Sequence, residues 1–462
     1  MSWGSLVDLP DQTSHNSEND VQIRIPFEVG ANLRKELAKP LVDGCERVVL
    51  ALISLSSTEK RERVLVHSIH PVPPDSYRRS GRASAWNPNF TAEVAQRALR
   101  LGFGVMAIHS HSFSNHPELS STDQRSFIDM LEPLKILGPK RPHGSLVLGR
   151  NWSVGGLVWL PTGKVHSIAN VVWIDSPIRT WPLARVVSAD SGEMFDSQKL
   201  LIGQYGQGLL RGTSIGIVGL GGGGSHVAQQ VGRVGFGHVM LVDPDVVEET
   251  NRSRMVGSRP EDVGQPKTSV IERLFSETGS GTKIESVAEK FPSQNGMDLL
   301  KRSDIIVSCV DSFSSRAELV RFAWRYLIPL IDIGIGTQVQ PGGRIKGLKD
   351  IAGHIHVYLP GGACMYCSGL LSDEKIRAET GGKPEYVKGA QSPGQIISFN
   401  GVVASLAVTE AINLVTGALN TADRPRFILY DAITTKLHDQ EVNRNASCAM
   451  CRDNLGKGDS IW

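Results

Sequence analysis

The sequence has no long apolar run, little cysteine and almost no net charge. No apolar stretch approaches the roughly 18 residues that cross a membrane, so no membrane span is expected. A formal net charge of +2 provides no basic field, which argues against nucleic acid as a partner. The 6 cysteines in 462 residues are too few for a disulfide framework and favour a reducing cytoplasm. With 40% hydrophobic residues and 48 glycines, the composition is typical of an ordinary globular α/β protein.

The length predicts two or three domains, on a prior of roughly 150 residues each. Residues 1–20 are polar and lack the apolar segment of a secretory signal, so we expect a disordered or loosely docked tail. We expect a first domain over 21–175, a linker over 176–193 and a second domain over 194–462. The proline- and serine-containing linker separates two different constellations of candidate site residues.

The stretch 213–254 organises the second domain. An apolar run at 215–218 predicts a buried parallel strand, and glycines at 219–224 follow it without a break. Helical spacing comes next, and a second apolar run ends at Asp243, roughly 20 residues further on. Glycines let backbone approach phosphate closely, and the N-terminus of the following helix binds anions. The stretch therefore predicts a nucleotide site, for which NAD is the commoner ligand.

The residues after Asp243 favour a different nucleotide. Asp243, Asp245, Asn251 and Arg254 fit the pattern D-x-D-x-V-x-x-x-N-x-x-R, and the chain here resembles the ThiF/MoeB-type adenylyltransferases and the adenylation domains of ubiquitin-activating enzymes. The resemblance continues through Lys267, the segment 309–316 and paired cysteines near the C-terminus. It implies a Rossmann-like doubly wound fold, ATP and Mg2+ as ligands, and adenylation of the C-terminal glycine of a ubiquitin-like protein.

The resemblance also assigns roles to residues of the nucleotide site. The residues expected to bind ATP are Gly219, Gly221, Gly222, Gly224, Asp243, Asp245, Asn251, Arg254, Lys267 and Asp311. Arg254, Lys267 and Asp311 are also expected to be catalytic. Asp311 is the expected Mg2+ ligand, because Mg2+ is held by one or two carboxylates plus phosphate oxygens. Arg252 and Arg316 are lesser candidates, for which surface or structural roles are equally suitable.

One position departs from the family pattern. Relatives usually carry an arginine near the start of this domain that reaches the ATP of a neighbouring subunit, and this chain has Ser197 there. The resemblance still implies a homodimer formed through the adenylation domain. This departure argues against a trans-acting arginine from this helix; either Arg211 substitutes for it or the site works without one.

A second constellation lies in the first domain. An apolar strand at 104–108 leads into His109 and His111, and Ser120 and Asp123 follow. Histidines at i and i+2 project to the same side of a strand, and a carboxylate from the next helix can complete three zinc ligands with an open position for water. The spacing H-x-H-x8-S-x-x-D resembles the JAMM (MPN+/JAB) metallopeptidases, which cleave peptide or isopeptide bonds after the C-terminal glycine of ubiquitin-like proteins.

This resemblance implies a JAB-type mixed α/β domain with a catalytic Zn2+. The zinc ligands would be His109, His111 and Asp123, and Ser120 would donate a hydrogen bond to the oxyanion. A glutamate before the first core strand acts as general base in that family, and Glu46 fits that place, with Asp43 as a rival.

Four cysteines form two C-x-x-C pairs, the first Cys364 with Cys367 and the second Cys448 with Cys451. Each pair supplies half of a tetrahedron, which predicts a structural zinc site. The segment 368–394, where thioester-forming relatives place a cysteine, contains none and is expected to be a polar crossover loop. The acyl group would therefore stay as the adenylate, pass directly to a partner's nucleophile, or form an ester on Thr380 or Ser392.

Together these patterns predict a bifunctional cytoplasmic enzyme. One domain would activate the C-terminal glycine of a ubiquitin-like protein, and the other would hydrolyse bonds after the same tail. The resemblance is to bacterial ubiquitin-like conjugation, with antiviral defence as one purpose and a separate conjugating enzyme as a further partner. Three alternatives stay open: sulfur-carrier activation for molybdopterin- or thiamine-type cofactor synthesis, a domain that only binds the carrier, and an NAD-dependent oxidoreductase.

Overall fold

The computed structural model describes residues 21–40, 46–59, 61–80, 83–111, 114–115, 117–181, 192–339, 348–381, 395–419 and 426–460. Within these ranges the chain forms two eight-stranded sheets with helices packed against them, and one small hairpin. The predicted α/β class is confirmed. The predicted tail at 1–20, the rival base Asp43 and the candidate ester site Ser392 lie outside the described residues.

The first sheet is built from the N-terminal strands. Its members are β1 (Val21–Ile25), β2 (Val48–Thr58), β3 (Arg61–Pro71), β6 (Gly104–His111), β7 (His143–Gly149), β8 (Val154–Trp159), β9 (Val165–Trp173) and β10 (Arg179–Trp181), while β4 (Tyr77–Ser80) and β5 (Ala83–Trp86) form the hairpin. Strand β1 pairs with both β3 and β9, so the sheet closes on itself. The sheet also extends into the predicted linker, because β10 pairs with β9.

Apolar side chains fill both sides of this closed sheet. Ile23, Ile108 and Trp173 belong to a buried cluster enclosed with helix α1 (Phe27–Leu37). Helices α2 (Pro88–Leu101) and α3 (Ser121–Leu137) cover other faces with residues such as Ala98 and Phe127. Strand β6 is central and mostly buried, and His109 and His111 lie at its carboxyl end.

The second sheet combines a parallel half and an antiparallel half. Its strands are β11 (Ser214–Val218), β12 (His238–Val242), β13 (Lys283–Val287), β14 (Ile305–Ser308), β15 (Leu330–Val339), β16 (Leu348–Tyr358), β17 (Phe427–Asp431) and β18 (Lys436–Gln440). The order is β13-β12-β11-β14-β15-β16-β17-β18, parallel as far as β15 and antiparallel beyond it. Strands β11, β12 and β14 are apolar almost throughout, as expected of strands buried on both faces.

Helices pack on both faces of this sheet, which confirms the doubly wound arrangement. They are α4 (Asp196–Arg211), α5 (Gly222–Val234), α6 (Lys267–Thr278), α7 (Gln294–Leu300), α8 (Phe313–Tyr326), α9 (Asp373–Thr380), α10 (Ile397–Thr416) and α11 (Ala449–Asn454). The chain leaves β11 towards β12 on one side and returns to β14 on the other. The strand order therefore reverses at β11, and ligands bind in the crevice that such a reversal opens at the carboxyl ends of the strands.

The prediction of a loop over 368–394 is wrong for part of that segment. Residues 373–380 form α9, because the Ser372 hydroxyl caps the helix by accepting from the Lys375 amide at 3.2 Å. Helix α9 is anchored by Glu379, whose two carboxylate oxygens each accept a backbone N–H at the start of α8 at 2.9 Å.

Helix α10 is long and apolar enough to cross a membrane by length and composition, with a mean hydropathy of 1.3 over its most apolar window. Half of that window, 50%, is buried inside the protein, where the helix packs against α5 and the second sheet. A core helix satisfies the same criteria, so this feature is weak support for a membrane span.

Buried arginines join the two sheets. Arg24 and Arg63, which are 1% and 5% exposed, reach from the first sheet to the loop that precedes β14. The Arg24 Nη2 atom lies 2.9 Å and the Arg63 Nη2 atom 3.5 Å from Asp304 Oδ1. Burial lowers the pKa of Arg24 to about 10, although Asp304 opposes this change, and burial together with Arg24 lowers the pKa of Arg63. One carboxylate thus compensates two buried guanidinium groups.

The C-terminal segment reinforces this junction by lying along the first sheet. The Ser54 hydroxyl donates to Gly456 O at 2.6 Å, and the Ser57 amide donates to Asp459 Oδ2 at 2.7 Å. The other oxygen of Asp459 accepts from the hydroxyl of Tyr326, in α8, at 3.1 Å. The segment therefore binds both parts of the chain at once.

We predict that Asp304→Asn destabilises the protein by about 2 kcal/mol, because it leaves two buried guanidinium groups without their counter-ion. This is less than the cost of breaking a fully buried pair, since the Asp304 side chain is 34% exposed and partly screened. Denaturant unfolding measures the difference. The control Asp298→Asn removes an exposed partner of Lys301 and should change stability by less than about 0.5 kcal/mol. Equal effects of the two substitutions would contradict the proposed role of the junction.

Candidate functional site

A cleft of about 830 Å³ opens at the strand-order reversal of the second sheet. It lies at the carboxyl ends of β11, β12 and β14 and extends over the middle of β15 and over His354 of β16. Nine of the ten residues predicted for nucleotide binding line it: Gly219, Gly221, Gly222, Asp243, Asp245, Asn251, Arg254, Lys267 and Asp311. The tenth, Gly224, lies in the first turn of α5 beside the cleft.

The glycine turn is shaped by close backbone contacts. Gly219 has a φ of +89°, a conformation that favours glycine. A Cβ atom on Gly224 would lie 1.8 Å from the Gly219 carbonyl oxygen, so only glycine lets α5 pack this close to the turn. At Gly221, in contrast, a Cβ atom would meet nothing within 4 Å. The turn is therefore packed tightly on its inner side and open on the side of the cleft.

Asp243 holds the turn in place. It is 3% exposed, and its carboxylate accepts from the Leu220 amide at 2.5 Å and from the Asp245 amide at 2.8 Å. Burial raises the pKa of Asp243, although Lys267 opposes this change. Lys267 is itself 7% exposed and donates from Nζ to Asp245 Oδ2 at 2.7 Å. Lys267 thus places a buried ammonium group at the cleft, and the carboxylates of Asp243 and Asp245 compensate its charge.

The other predicted residues enter from loops. Asn251 is buried and its Oδ1 atom accepts from the Glu248 amide at 3.1 Å, which fixes the short 3-10 helix before Arg254. Asp311 is exposed and follows β14 at the mouth of the cleft. Arg254, Lys267 and the Asp311 carboxylate therefore share the cleft with the N-terminus of α5.

The lesser candidates have other contacts. Arg252 pairs with Glu249 on the surface, whereas Arg316 lines the cleft and pairs with the buried Asp332. Ser197 is exposed near the start of α4, whereas Arg211, at the end of α4, lies over the ring of Phe195 and does not line the cleft. A role for Arg211 at a neighbouring subunit's ATP stays a prediction.

Sequence reasoning missed several residues that line the cleft, namely Lys290, Phe291, His354, Gln395 and Asn400. Asn400 is 4% exposed, and its amide nitrogen would lie 2.5 Å from a Cβ atom on Gly222. It comes from α10, far along the chain, so no local motif marks it. His354 alternates with His356 on β16, and this spacing is the sequence signal that could have identified it.

In the first sheet the predicted zinc ligands converge. The Asp123 carboxylate lies 3.5 Å from His109 Nε2 and 3.6 Å from His111 Nε2, and Glu46 Oε2 lies 3.7 Å from His111 Nε2. Ligand atoms about 2.0–2.1 Å from a tetrahedral ion would be about 3.3 Å apart, close to these separations. The buried His109 Nε2 makes no hydrogen bond within the described residues. An orphaned ring nitrogen facing a second histidine and a carboxylate fits a metal ion.

The electrostatics of this cluster are those expected of metal ligands and a general base. Burial lowers the pKa of His111, which favours the neutral imidazole that binds metal. Although burial raises the pKa of Asp123, His109 and Ser120 lower it overall, so this carboxylate stays ionised. Burial raises the pKa of Glu46, although His109 opposes this change. A carboxylate with a raised pKa is a stronger proton acceptor than an ordinary one.

Ser120 has a different contact from the predicted one. Its hydroxyl donates to Asp123 Oδ2 at 2.6 Å, and the two residues form a capping box that starts α3. The hydroxyl thereby orients a predicted metal ligand. Its predicted role as oxyanion donor stays a prediction.

The four paired cysteines also converge. Sγ–Sγ distances are 3.7 Å for Cys364 to both Cys367 and Cys448, and 3.6 Å for Cys367 to Cys451. Sulfur ligands about 2.3 Å from a tetrahedral zinc ion would be about 3.8 Å apart, so this cluster fits the ion. A hydrogen bond from Cys451 lowers the pKa of Cys364 to about 6, which favours the thiolate that binds metal.

The comparison with known proteins identifies the second part of the chain. The model of the ThiF family matches residues 195–450. The sulfur carrier protein adenylyltransferase of Thermus thermophilus is 28% identical over 54% of this chain and 87% of its own length. The SAMP-activating enzyme E1 of Haloferax volcanii is 26% identical over 56% of this chain and 87% of its own length. The molybdopterin-synthase adenylyltransferase of Escherichia coli is 25% identical over 53% of this chain and 90% of its own length.

We predict opposite behaviour for two glycines of the turn. Gly224→Ala should cost about 3 kcal/mol, because its methyl group collides with the Gly219 carbonyl. That cost lowers the melting temperature of a domain this size by about 6–12 °C. Gly221→Ala should change stability by less than about 1 kcal/mol but weaken ATP binding, because its methyl group would project into the cleft. Thermal melting and titration with ATP measure both, and equal melting of the two variants would contradict the packing described.

Proposed function

The chain belongs to the ThiF family, and from this premise we propose that residues 194–462 use ATP to adenylate the C-terminal glycine of a small ubiquitin-like or sulfur-carrier protein. The relatives named above act on carriers of these kinds. The observation that carries the proposal is the convergence of the glycine turn, Arg254, Lys267 and Asp311 in one cleft at the strand-order reversal. The family match favours this reaction over the nicotinamide chemistry that the glycine turn alone suggests.

The residues of the cleft can each supply part of this reaction. The carrier carboxylate attacks the α-phosphorus of ATP, an acyl-adenylate forms and pyrophosphate leaves. The open side of the turn at Gly221 admits the phosphates to the N-terminus of α5. Lys267 and Arg254 neutralise the charge that builds up as the phosphate bonds change, and Asp243 receives the ribose. Asp311 would hold Mg2+, which would add to the charge neutralisation when bound.

We further propose that residues 21–175 form a zinc-dependent peptidase of the JAMM kind. The convergence of His109, His111 and Asp123 beside Glu46 supports it. Bound Zn2+ would lower the pKa of a water molecule towards about 7. Glu46 would accept the proton of that water and pass it to the leaving amine, and Ser120 would hold Asp123 in place. The bond cut would be the one after the glycine tail that the other cleft activates.

The Cys364, Cys367, Cys448 and Cys451 cluster is proposed to hold a structural zinc ion. It ties the loop after β16 to helix α11, which leads directly into the C-terminal segment at the junction of the two sheets. The ion would therefore fix that segment as well as its own loop. Thiolates that hold a metal accord with the proposed cytoplasmic location.

The proposed partners are the carrier, a separate conjugating enzyme that accepts the acyl group and a second copy of this chain. Exposed apolar side chains on α4 support the second copy, with Leu200 88% and Leu201 85% exposed. Of the two candidate ester sites, Ser392 lies outside the described residues, and the Thr380 hydroxyl at the end of α9 donates to Ile376 O at 3.0 Å. Direct transfer to the partner is therefore the proposed route.

Sulfur-carrier activation for cofactor synthesis is the second candidate function. Two of the three relatives reported above carry names of that kind, and the adenylation chemistry is the same in both cases. In that case the first domain would mature the carrier or only bind it. The peptidase cluster favours conjugation, in which removal of the tag from its target is also needed.

We predict that Asp311→Asn abolishes carrier-dependent exchange between ATP and pyrophosphate, by about 100-fold or more, because the variant loses the carboxylate that would hold Mg2+. A panel of small proteins that end in Gly-Gly, including the Thermus sulfur carrier protein, serves as substrate. Asp129→Asn, on the exposed face of α3, is the matched control and should exchange at the wild-type rate. Undiminished exchange in Asp311→Asn would remove this residue from the site.

We predict that Glu46→Gln reduces cleavage of a carrier fusion after its Gly-Gly tail by 100-fold or more, the order expected for loss of a general base. Zinc content, measured by mass spectrometry, should be retained. The base acts when ionised, so wild-type activity should fall as the pH drops through the raised pKa of Glu46. The control Glu132→Gln alters an exposed residue of α3. Cleavage that persists in Glu46→Gln would exclude this residue as the base.

A further inference from the structure

A buried carboxylate lies beneath the cleft at the start of β15. Asp332 is fully buried, and its carboxylate accepts from Arg316 Nε at 3.1 and 3.2 Å and from the Ser308 hydroxyl. Although burial raises its pKa, Arg316, His354 and Ser308 lower the pKa of Asp332 overall, so it stays ionised. Arg316 already neutralises this charge. A third partner, His354, is therefore not required to balance it.

That partner is oriented towards the cleft. His354 Nε2 lies 2.7 Å from Asp332 Oδ2, which fixes the tautomer in which Nε2 carries the proton. The His354 ring lines the cleft, and its Nδ1 atom makes no hydrogen bond to any residue that the structure describes. A Cβ atom on Gly334 would lie 2.5 Å from this ring, so the glycine leaves the space that the imidazole fills. The Asp332 carboxylate thus orients an imidazole ring that lines the cleft.

The thiol and serine hydroxyl groups that line the described part of the cleft are not activated as nucleophiles. Burial raises the pKa of the Cys309 thiol, which keeps it protonated and inert. The Ser312 hydroxyl accepts from the Ser315 amide to cap α8 and also bonds to the Ser315 hydroxyl. These groups are therefore poor acceptors for an acyl-adenylate formed here, which favours a nucleophile from a second molecule. A thiol needs a base most, because the thiolate is the attacking form.

We propose that His354, oriented by Asp332, is the general base that transfers the activated acyl group to a thiol of an acceptor protein. This step rests on the proposed adenylation. His354 Nδ1 takes the thiol proton, the sulfur forms a bond to the acyl carbon, and the bond between that carbon and the phosphate oxygen breaks. AMP leaves with the electron pair, and the imidazolium returns its proton to solvent. The products are a thioester and AMP, and no oxidant or reductant is needed.

The test uses the full chain with a synthetic adenylate, N-acetyl-glycylglycyl-AMP, and N-acetylcysteine as the thiol, so that no natural carrier is required. We expect His354→Gln, whose amide can still donate to Asp332, to lower thioester formation by about 100-fold. An aromatic thiol that is already ionised at neutral pH needs no base and should react within a few-fold of the wild-type rate. His438→Gln, on the exposed strand β18, is the matched control.

Titration with the non-reactive N-acetyl-glycylglycyl-sulfamoyladenosine separates the possible failures. If wild-type protein does not bind this analogue, the proposed adenylation itself fails. If His354→Gln binds it normally and reacts as fast as wild type with N-acetylcysteine, His354 is not the base. Equal loss with both thiols would show that the residue only maintains the shape of the cleft, and would also overturn the proposal.

Discussion

The contact between two glycines determines where the chemistry of the second sheet can occur. Because Gly224 packs directly on the Gly219 carbonyl, α5 begins immediately after β11 and its N-terminus faces the crevice. Asp243 then fixes the turn from below through backbone N–H groups, and its position brings Asp245 and Lys267 to the same edge. A single side-chain methyl group at Gly224 would separate these elements. The charge pattern of the cleft depends on this close approach.

The two candidate sites belong to one connected structure. Arg24 and Arg63 bind Asp304 and the backbone before β14, and the C-terminal segment reaches from α11 across to β2. The cysteine cluster lies next to this segment in the chain. A carrier released at one site would therefore meet the other at a fixed distance on the same molecule. This arrangement suits two reactions on one short tail.

Local patterns predicted most of the cleft, because its groups follow strand ends in sequence. The glycine turn, Asp243, Lys267 and Asp311 each come directly after a buried strand or begin a helix, and parallel strands bring such ends to one edge. Asp332 and His354 could not be paired in this way, since their contact depends on antiparallel register between β15 and β16. Asn400 enters from α10, and nothing near it in sequence indicates the glycine turn.

In the first domain the spacing of His109, His111 and Asp123 sufficed, because one strand and the next helix supply all three. Glu46 was placed only by its position before β2, and it does lie beside His111, since β2 pairs with β6. The helix α9 was missed because its polar composition resembles a loop. A serine cap and the contact of Glu379 with α8 stabilise it.

Isotope transfer tests the central claim, that this cleft joins a carboxylate to the α-phosphate of ATP. Small proteins ending in Gly-Gly are prepared with 18O in the terminal carboxylate and incubated with the full chain, ATP and Mg2+. The account predicts that the AMP finally released carries one 18O atom and that pyrophosphate carries none. Release of ADP and phosphate, or AMP without the label, would contradict it.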